Sequence, residues 1–112
     1  LKKINMIGVD IVKISRFENK SEKFISRVYS KREIEELNLK SGQNKSEYLA
    51  SRFASKEAYL KASGKMTTKL SSIETLNDSN GKPHLFVNNE EVGEVSISHD
   101  TFAIAVVLLN KE

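Results

Sequence analysis

Asp10 is the one charged residue in segment 4–12, which is otherwise rich in apolar and β-branched side chains. This composition predicts a β-strand. A carboxylate inside an apolar strand is costly unless it is paired, hydrogen-bonded or bound to a metal ion. Two interpretations stay open at this point: Asp10 holds a cation, or it lies near the strand end and bonds to nearby backbone.

Glu57 and Lys61 are four residues apart in a stretch with helical spacing, so they share one helix face. Such pairs are commonly surface ion pairs worth a few tenths of a kcal/mol. The alternative is a carboxylate that holds a metal ion beside a lysine that meets a phosphate. Mg²⁺ often uses one or two protein carboxylates plus substrate phosphates, and Asp10 and Glu57 supply two. Arg52 would join Lys61 in neutralising phosphate charge.

His99 lies at the tip of a predicted hairpin, after an alternating apolar stretch at 95–98. A histidine in that place can meet a ligand, although an ordinary turn residue would give the same pattern. His84 has no comparable neighbours and is interpreted as a strand residue.

Basic residues recur at intervals of three or four along the first third of the chain: Arg16, Lys20, Lys23, Arg27 and Lys31. In a helix, these intervals would place them in one stripe. The stripe would suit the docking of an acidic partner. It would instead be a solvated charged face if the interleaved Glu18 and Glu22 balance it.

The residues that carry Glu57 and Lys61 are predicted to form a helix over 47–63, with Ser46 as N-cap and Gly64 as stop. Apolar side chains at near-helical spacing mark its buried side. They are Leu49, Phe53 and Leu60. The residues assigned to its polar side are Arg52, Lys56, Glu57 and Lys61.

The other predicted elements complete an α+β fold with a mainly antiparallel sheet. A capping box at Ser30 and Glu33 predicts a short helix over 31–39. Two hairpins are predicted, one pairing 71–76 with 84–87 and one pairing 95–98 with 102–109. The continuously apolar 104–109 predicts a last strand that is buried on both faces.

Length and composition exclude several classes of protein. The chain has 112 residues, which fits one domain over 1–112, with 1–5 interpreted as a tag-derived or disordered start. The absence of cysteine excludes disulfides and thiolate chemistry, and two histidines make a zinc site a poor fit. No apolar run is long enough to span a membrane. The net charge of +3 favours acidic or phosphate-bearing ligands. A nucleic-acid-binding domain would rest on that charge alone, because no aromatic platform or recognition motif supports it.

Three motifs, in order and at the expected separations, resemble the holo-[acyl-carrier-protein] synthases, the short class of the 4′-phosphopantetheinyl transferases. They are GVDIV at 8–12 followed by Arg16, RFASKEA at 52–58 with KASG at 61–64, and SISHD at 96–100 followed by Ala103 and Ala105. Weaker matches are RVYS at 27–30 before Glu33, and GKP at 81–83. The resemblance covers nearly the whole chain from Met6 onward.

The resemblance implies an α+β fold in which one long helix packs on a mainly antiparallel sheet. It implies a reaction that moves the phosphopantetheine arm of coenzyme A to a serine of apo acyl carrier protein and releases adenosine 3′,5′-bisphosphate, in support of fatty acid biosynthesis. It also implies a cytoplasmic homotrimer that uses Mg²⁺ at active sites between subunits, with no role for a membrane or nucleic acid.

The same resemblance implies residue roles. Asp10 and Glu57 match the two magnesium carboxylates, and Glu57, or a metal-associated water that it orients, matches the base for the carrier serine. Lys61 matches the lysine that meets the diphosphate. His99 matches the histidine of the coenzyme A site, contributed by the neighbouring subunit together with Asp10. The remaining nucleotide-site residues are Arg52, Gly81, Lys82, Pro83 and Ser98. The carrier-docking residues are Arg16, Lys20, Lys23 and Arg27.

One feature departs from the family pattern: a short segment, 88–94, connects Val87 and Val95, where members often have a longer, helical connection. A relative that has lost activity and only binds coenzyme A or the carrier is the alternative, against which stand Asp10, Glu57 and Lys61.

Overall fold

The computed structural model describes residues 4–111. The strands are β1 (Ile4–Lys13), β2 (Ile73–Asn77), β3 (Pro83–Val87), β4 (Glu90–Glu91), β5 (Glu94–His99) and β6 (Phe102–Lys111), and the helices are α1 (Glu22–Val28), α2 (Lys31–Leu37) and α3 (Gln43–Ser63). Short 3₁₀ turns at Ile14–Phe17 and Leu70–Ser72 precede α1 and β2. The predicted α+β class and both predicted hairpins are confirmed.

The strands form two antiparallel sheets. In the first sheet, β6 lies between β1 and β5, and in the second, β3 lies between β2 and β4. Asp10 pairs with Ala105, and His99 pairs with Ala103. The strands that carry Asp10 and His99 are therefore held by the same central strand, two residues apart in its register.

The long helix α3 begins earlier than the sequence predicts. It starts at Gln43 after Gly42, whose φ of 56° suits a residue without a side chain, and Ser46 is buried inside the helix instead of capping it. The segment 43–46 is entirely polar, so apolar periodicity could not reveal it. The predicted end is confirmed, because Gly64 adopts a left-handed φ of 72° and its N–H bonds to the Leu60 carbonyl at 2.8 Å.

The inner face of the first sheet packs against α3, and Gly8 sets how closely β1 approaches it. A Cβ atom at position 8 would lie 2.0 Å from the Ala58 carbonyl oxygen and 2.6 Å from the Ala62 nitrogen. The strand and helix backbones can therefore meet only because position 8 has no side chain and the helix offers alanines there.

The prediction that the last strand is buried on both faces is wrong for the single chain. Its inner side chains, Ala103, Ala105, Val107 and Leu109, are buried against α3. Most of its outer side chains are exposed, with Val106 half-buried, and three apolar side chains of the neighbouring β1 are exposed on the same face. The exposed set is Ile7, Val9, Ile11, Phe102, Ile104 and Leu108, each between 38% and 67% exposed. We call these six residues the outer apolar face.

Two residues assigned to the polar side of the helix, Arg52 and Lys56, are buried. Lys56 Nζ donates to Glu33 Oε1 at 2.6 Å and to the carbonyl oxygens of Leu70 and Ile73. Glu33 and Lys56 are fully buried, and burial raises the pKa of Glu33 and lowers that of Lys56 while each charge opposes the shift of the other. The pair fastens α2 and the start of β2 to α3.

The structure describes part of the start of the chain and all of the short connection 88–94. Of the segment 1–5, Ile4 and Asn5 belong to β1 instead of being disordered, and residues 1–3 lie outside the described residues. In the connection 88–94, Asn88 and Asn89 have positive φ angles and lead into the two-residue strand β4, so no helix forms there. No helix within residues 4–111 is long and apolar enough to cross a membrane.

Candidate active site

The Asp10 carboxylate points from β1 towards α3, where Lys61 meets it. Lys61 Nζ donates to Asp10 Oδ1 at 3.0 Å and to the Val9 carbonyl oxygen at 3.0 Å. The Asp10 side chain is largely shielded, while the Lys61 side chain is 52% exposed. The ammonium is thus fixed at two points and still open to an anionic ligand.

Glu57 lies one helical turn before Lys61 on the same face of α3 and is half-buried. Within residues 4–111 its carboxylate makes no hydrogen bond or ion pair. The described residues contain no cluster of three or more metal-ligating side chains. The local donor set is therefore two carboxylates beside a lysine. This set fits Mg²⁺, which takes few protein carboxylates when phosphate oxygens and waters complete its shell.

A second group of predicted site residues lines a separate cleft of about 270 Å³ between the start of α3, the β2–β3 turn and the end of β5. Arg52, Gly81, Pro83 and His99 all line it. We call this the turn cleft. Four residues that sequence reasoning assigned to the nucleotide site are thus brought together from three distant parts of the chain.

Arg52 lines the turn cleft, and its guanidinium is largely bonded to other protein groups. Its Nε donates to the Thr75 carbonyl oxygen at 3.1 Å and its Nη2 to Asn77 Oδ1 at 2.9 Å. Its guanidinium lies 4.2 Å from the ring centroid of Tyr48 and 3.6 Å from Glu36 Oε1. Most of its hydrogen-bonding capacity is committed to protein, so it holds the cleft in shape.

Two predicted nucleotide-site residues do not line the turn cleft. Lys82 Nζ instead lies 3.6 Å from Glu94 Oε1. Ser98 is exposed and lines a shallow depression of the outer apolar face, with Ile11 and Ile104. His99 lines both the depression and the cleft, so it lies at their common edge.

Within one chain, Asp10 and His99 belong to different groups of predicted site residues. The expectation that the neighbouring subunit contributes both Asp10 and His99 to one site stays a prediction. Asp10 is bonded to Lys61 of the same chain. No hydrogen bond or ion pair among the described residues joins the group of Asp10, Glu57 and Lys61 to His99. One chain therefore presents two half-sites.

A family model supplies the comparison with known proteins. The model described as the 4′-phosphopantetheinyl transferase superfamily matches residues 6–107. The chain belongs to this superfamily. The matched range includes both half-sites, β2 to β5 entirely and most of β1 and β6.

Individual members of the superfamily are similar over nearly their whole length. The chain is 40% identical over 118 residues to a holo-[acyl-carrier-protein] synthase of Ehrlichia ruminantium (strain Gardel), covering 95% of this chain and 96% of that one. It is 42% identical over 113 residues to the enzyme of that name from Geobacillus sp. (strain WCH70), covering 94% and 95%.

A solved transferase structure has the same fold. The holo-(acyl-carrier-protein) synthase of Bacillus anthracis str. Ames, in complex with CoA (3′,5′-ADP), matches with a TM-score of 0.84 and 38% identity. The match covers 96% of each chain. The arrangement of strands around α3 is therefore that of the superfamily.

In this transferase, the basic residues do not form the single helical stripe that their spacing predicts. Arg16 lies in a 3₁₀ turn, Lys23 and Arg27 lie one turn apart on α1, and Lys31 begins α2. Lys20, in the loop between, lies 4.6 Å from the ring centroid of Phe24 and 5.4 Å from that of Phe17. Arg16, Lys23 and Arg27 are exposed, so a basic surface remains, built from three short elements.

Sequence reasoning missed several residues of the turn cleft. They are Lys40, Asn44, Glu47, Tyr48, Ser51, Asn77 and Ile97. The sequence signal that could have indicated them is the run of polar residues before the predicted helix. Lys40 and Asn44 lie in this run, which the sequence analysis interprets as a loop. Once α3 is extended back to Gln43, Asn44, Tyr48 and Ser51 follow at helical spacing, and the helix itself supplies one wall of the cleft.

Proposed function

We propose that the chain is a holo-[acyl-carrier-protein] synthase. It moves the phosphopantetheine arm of coenzyme A to a serine of apo acyl carrier protein and releases adenosine 3′,5′-bisphosphate. The observation that carries this proposal is the junction of Asp10 and Lys61 on the α3 face that bears Glu57, in a chain of this superfamily. The coenzyme complex of the Bacillus anthracis relative supports the same substrate.

The chemistry needs a hydroxyl nucleophile, charge neutralisation and a proton acceptor. The carrier serine oxygen forms a bond to the phosphorus of the arm, and the bond from that phosphorus to the bridging oxygen breaks, so the electron pair leaves with the adenosine bisphosphate. Lys61, anchored by Asp10 and Val9, holds its ammonium where charge develops on the diphosphate. Glu57, which has no partner among the described residues, accepts the serine proton directly or through a water.

We propose Mg²⁺ as the resident cation, held by Asp10 and Glu57. When bound there, it supplies positive charge that orients the diphosphate and stabilises the departing phosphate. Lys61 contributes a second positive charge on the same face. Two carboxylates, Asp10 on β1 and Glu57 one helical turn before the lysine that binds Asp10, support an ion that shares its shell with substrate.

We also propose a homotrimer with active sites between subunits. Two observations support it: no hydrogen bond or ion pair among the described residues joins the two half-sites of one chain, and the outer apolar face extends from Ile7 and Val9 on β1 to Ile104 and Leu108 on β6. Contiguous exposed apolar surface of this kind marks an interaction site. A closed ring of three copies would cover the face and bring the Glu57 half-site of one chain beside the turn cleft of the next.

The basic surface of Arg16, Lys23 and Arg27 is proposed as the docking site for the acidic carrier, with Lys20 at its edge. Opposite charges steer two proteins together and fix their register. We also propose that the protein is cytoplasmic and supports fatty acid biosynthesis, as the resemblance implies.

Intact-mass spectrometry of apo acyl carrier protein tests the proposed function. The carrier is incubated with this protein, coenzyme A and Mg²⁺, and a matched sample contains EDTA. We expect the carrier to gain the mass of one phosphopantetheine arm only in the sample with free metal. No gain, with a carrier that another transferase can modify, would contradict the function and favour a relative that only binds coenzyme A or the carrier, which calorimetry would then detect.

A further inference from the structure

His84 lies on β3 between two carboxylates. Its Nε2 is 2.9 Å from Asp78 Oδ2, and its Nδ1 is 2.6 Å from Glu91 Oε2. The sequence interpretation of His84 as an ordinary strand residue is thus incomplete. Asp78 lies six residues before His84, in the β2–β3 turn, and Glu91 lies seven residues after it, on β4. No local sequence pattern therefore predicts these contacts.

Asp78 holds the β2–β3 turn together. Its Oδ1 accepts the backbone N–H groups of Asn80 at 2.8 Å and Lys82 at 3.1 Å. Its own N–H bonds to the Lys82 carbonyl oxygen at 2.9 Å, and its carbonyl oxygen accepts the Gly81 N–H at 2.9 Å. Because the second carboxylate oxygen of Asp78 reaches His84, the imidazole ties this whole turn to β3, and through Glu91 to β4.

The turn that His84 secures is one wall of the turn cleft. Gly81 within it and Pro83 directly after it line the cleft together with Arg52 and His99. Gly81 has a φ of 83°, a conformation that the turn must maintain against the alternatives open to glycine. A displacement of the turn would therefore move the wall that meets the nucleotide.

We propose that His84 is a positioning residue for coenzyme A binding, and that its imidazolium form keeps the β2–β3 turn in the binding-competent position. The proposal rests on the proposed function, because it takes the turn cleft as the nucleotide site. It adds a residue that touches no reacting atom and acts through the turn.

The protonation state matters because of how imidazole bonds. The imidazolium donates at both nitrogens, whereas the neutral ring donates at one and presents a lone pair at the other. Only the imidazolium therefore satisfies both Asp78 and Glu91. Glu91 and then Asp78 raise the pKa of His84, and the hydrogen bond from His84 lowers the pKa of Asp78. The other charged side chain of the turn, Lys82, is paired with Glu94.

The direction of the pH effect follows from the raised pKa of His84. The two hydrogen bonds from His84, to Asp78 and Glu91, are both present at pH values below the ordinary histidine pKa. One of them is lost as the pH rises through the raised pKa of His84. Binding of coenzyme A should weaken over that same window in the wild-type protein. A variant without the imidazole should lack this pH-dependent weakening of coenzyme A binding.

Steady-state kinetics of the wild type and the variants His84→Gln and Glu90→Gln test the proposal from about pH 6 to about pH 9.5. At the acidic end, we expect His84→Gln to raise the KM for coenzyme A about three- to tenfold, as the loss of charge-assisted hydrogen bonds predicts, with kcat changed less than KM. The KM ratio of variant to wild type should fall towards one at the alkaline end. Ionisation of the coenzyme phosphates cancels in this ratio. Glu90→Gln removes a charge from the exposed neighbour of Glu91 and should match the wild type.

A KM ratio near one at every pH would overturn the proposal, and so would an equal effect of Glu90→Gln. Amide hydrogen exchange of the free protein gives a second readout that needs no coenzyme. Protection of the Gly81 and Lys82 amides should fall in His84→Gln, and unchanged protection would also overturn the proposal. If the wild type transfers nothing, the proposed function fails, while the exchange measurement still decides whether His84 holds the turn.

Discussion

Lys56 and Glu57 are neighbours on α3, yet their side chains meet opposite environments. Lys56 is fully buried and paired with Glu33, whereas Glu57 is half-buried, one helical turn before the lysine that binds Asp10. Helix geometry separates consecutive side chains by about 100°. One dipeptide therefore serves both the fold and the chemistry, and substitutions at the two positions should fail in different ways.

Glu57→Gln should remove transfer activity without unfolding the protein. The amide keeps the size of the side chain but loses the charge that holds a divalent cation and accepts a proton, so we expect a loss of kcat of roughly a hundredfold or more. Mass-spectrometric transfer rates and the thermal midpoint measure the two effects. Glu35→Gln on α2 is the matched control. Near-normal turnover by Glu57→Gln would contradict the assigned role.

Lys56→Met should instead destabilise the folded protein. It leaves the Glu33 carboxylate buried without its cation, which typically costs about 3–5 kcal/mol of unfolding free energy. Urea denaturation measures the loss. The double variant Glu33→Gln with Lys56→Met removes both charges and keeps an acceptor oxygen for one of the two amides, of Ser30 and Thr75, that Glu33 accepts, so it should recover a part. A double variant no more stable than Lys56→Met would show that packing, and not charge, causes the loss.

At this scale, the sequence singled out a residue whose charge differs from its apolar surroundings. Asp10 was visible because it interrupts an apolar strand, and the structure brings it to Lys61. The burial of Lys56 and Arg52 was not visible. Their partners, Glu33 for one and Thr75 and Asn77 for the other, lie more than twenty residues away, and helical periodicity marks which residues share a face without saying what packs there.

Among the elements, α3 has two packed sides and a single short exposed strip. Ala58 and Ala62 meet Gly8 of the first sheet, while Arg52 and Lys56 meet α2 and β2 on the other side. A helix enclosed in this way need not show a clean apolar stripe, because buried polar groups with satisfied hydrogen bonds replace part of it. The sequence located the helix and its glycine stop, but polar residues at its start concealed the first turn.

The short elements α1 and the 3₁₀ turn before it should determine carrier recognition. Arg16→Glu reverses an exposed charge away from both half-sites, so it should raise the KM for the carrier more than the KM for coenzyme A, with an effect that shrinks as salt is added. Initial rates with each substrate varied in turn measure the two constants. Lys69→Glu, an exposed reversal before β2, serves as control. An unchanged carrier KM would exclude this surface as the docking site.

For the whole molecule, the two half-sites predict how inactive chains should complement one another. Glu57→Gln damages one half-site and His99→Ala the other, so mixed trimers of random composition should contain roughly a quarter of intact sites. Activity after subunit exchange, which native mass spectrometry can verify, measures the recovery. Glu57→Gln mixed with Lys61→Ala should recover nothing, because both damage the same half-site. Recovery in that control, or none in the first mixture, would contradict sites between chains.

Strand β1 meets different partners on its two sides. Gly8, Asp10 and Val12 face α3 of the same chain, and Ile7, Val9 and Ile11 belong to the outer apolar face. In a library that randomises positions 7–12, defects at even positions should be equally severe at every protein concentration. Defects at odd positions should diminish as the concentration rises, because mass action favours association. Selecting the same library under weak and strong expression would therefore separate residues needed within one chain, for folding or chemistry, from residues needed for assembly between chains.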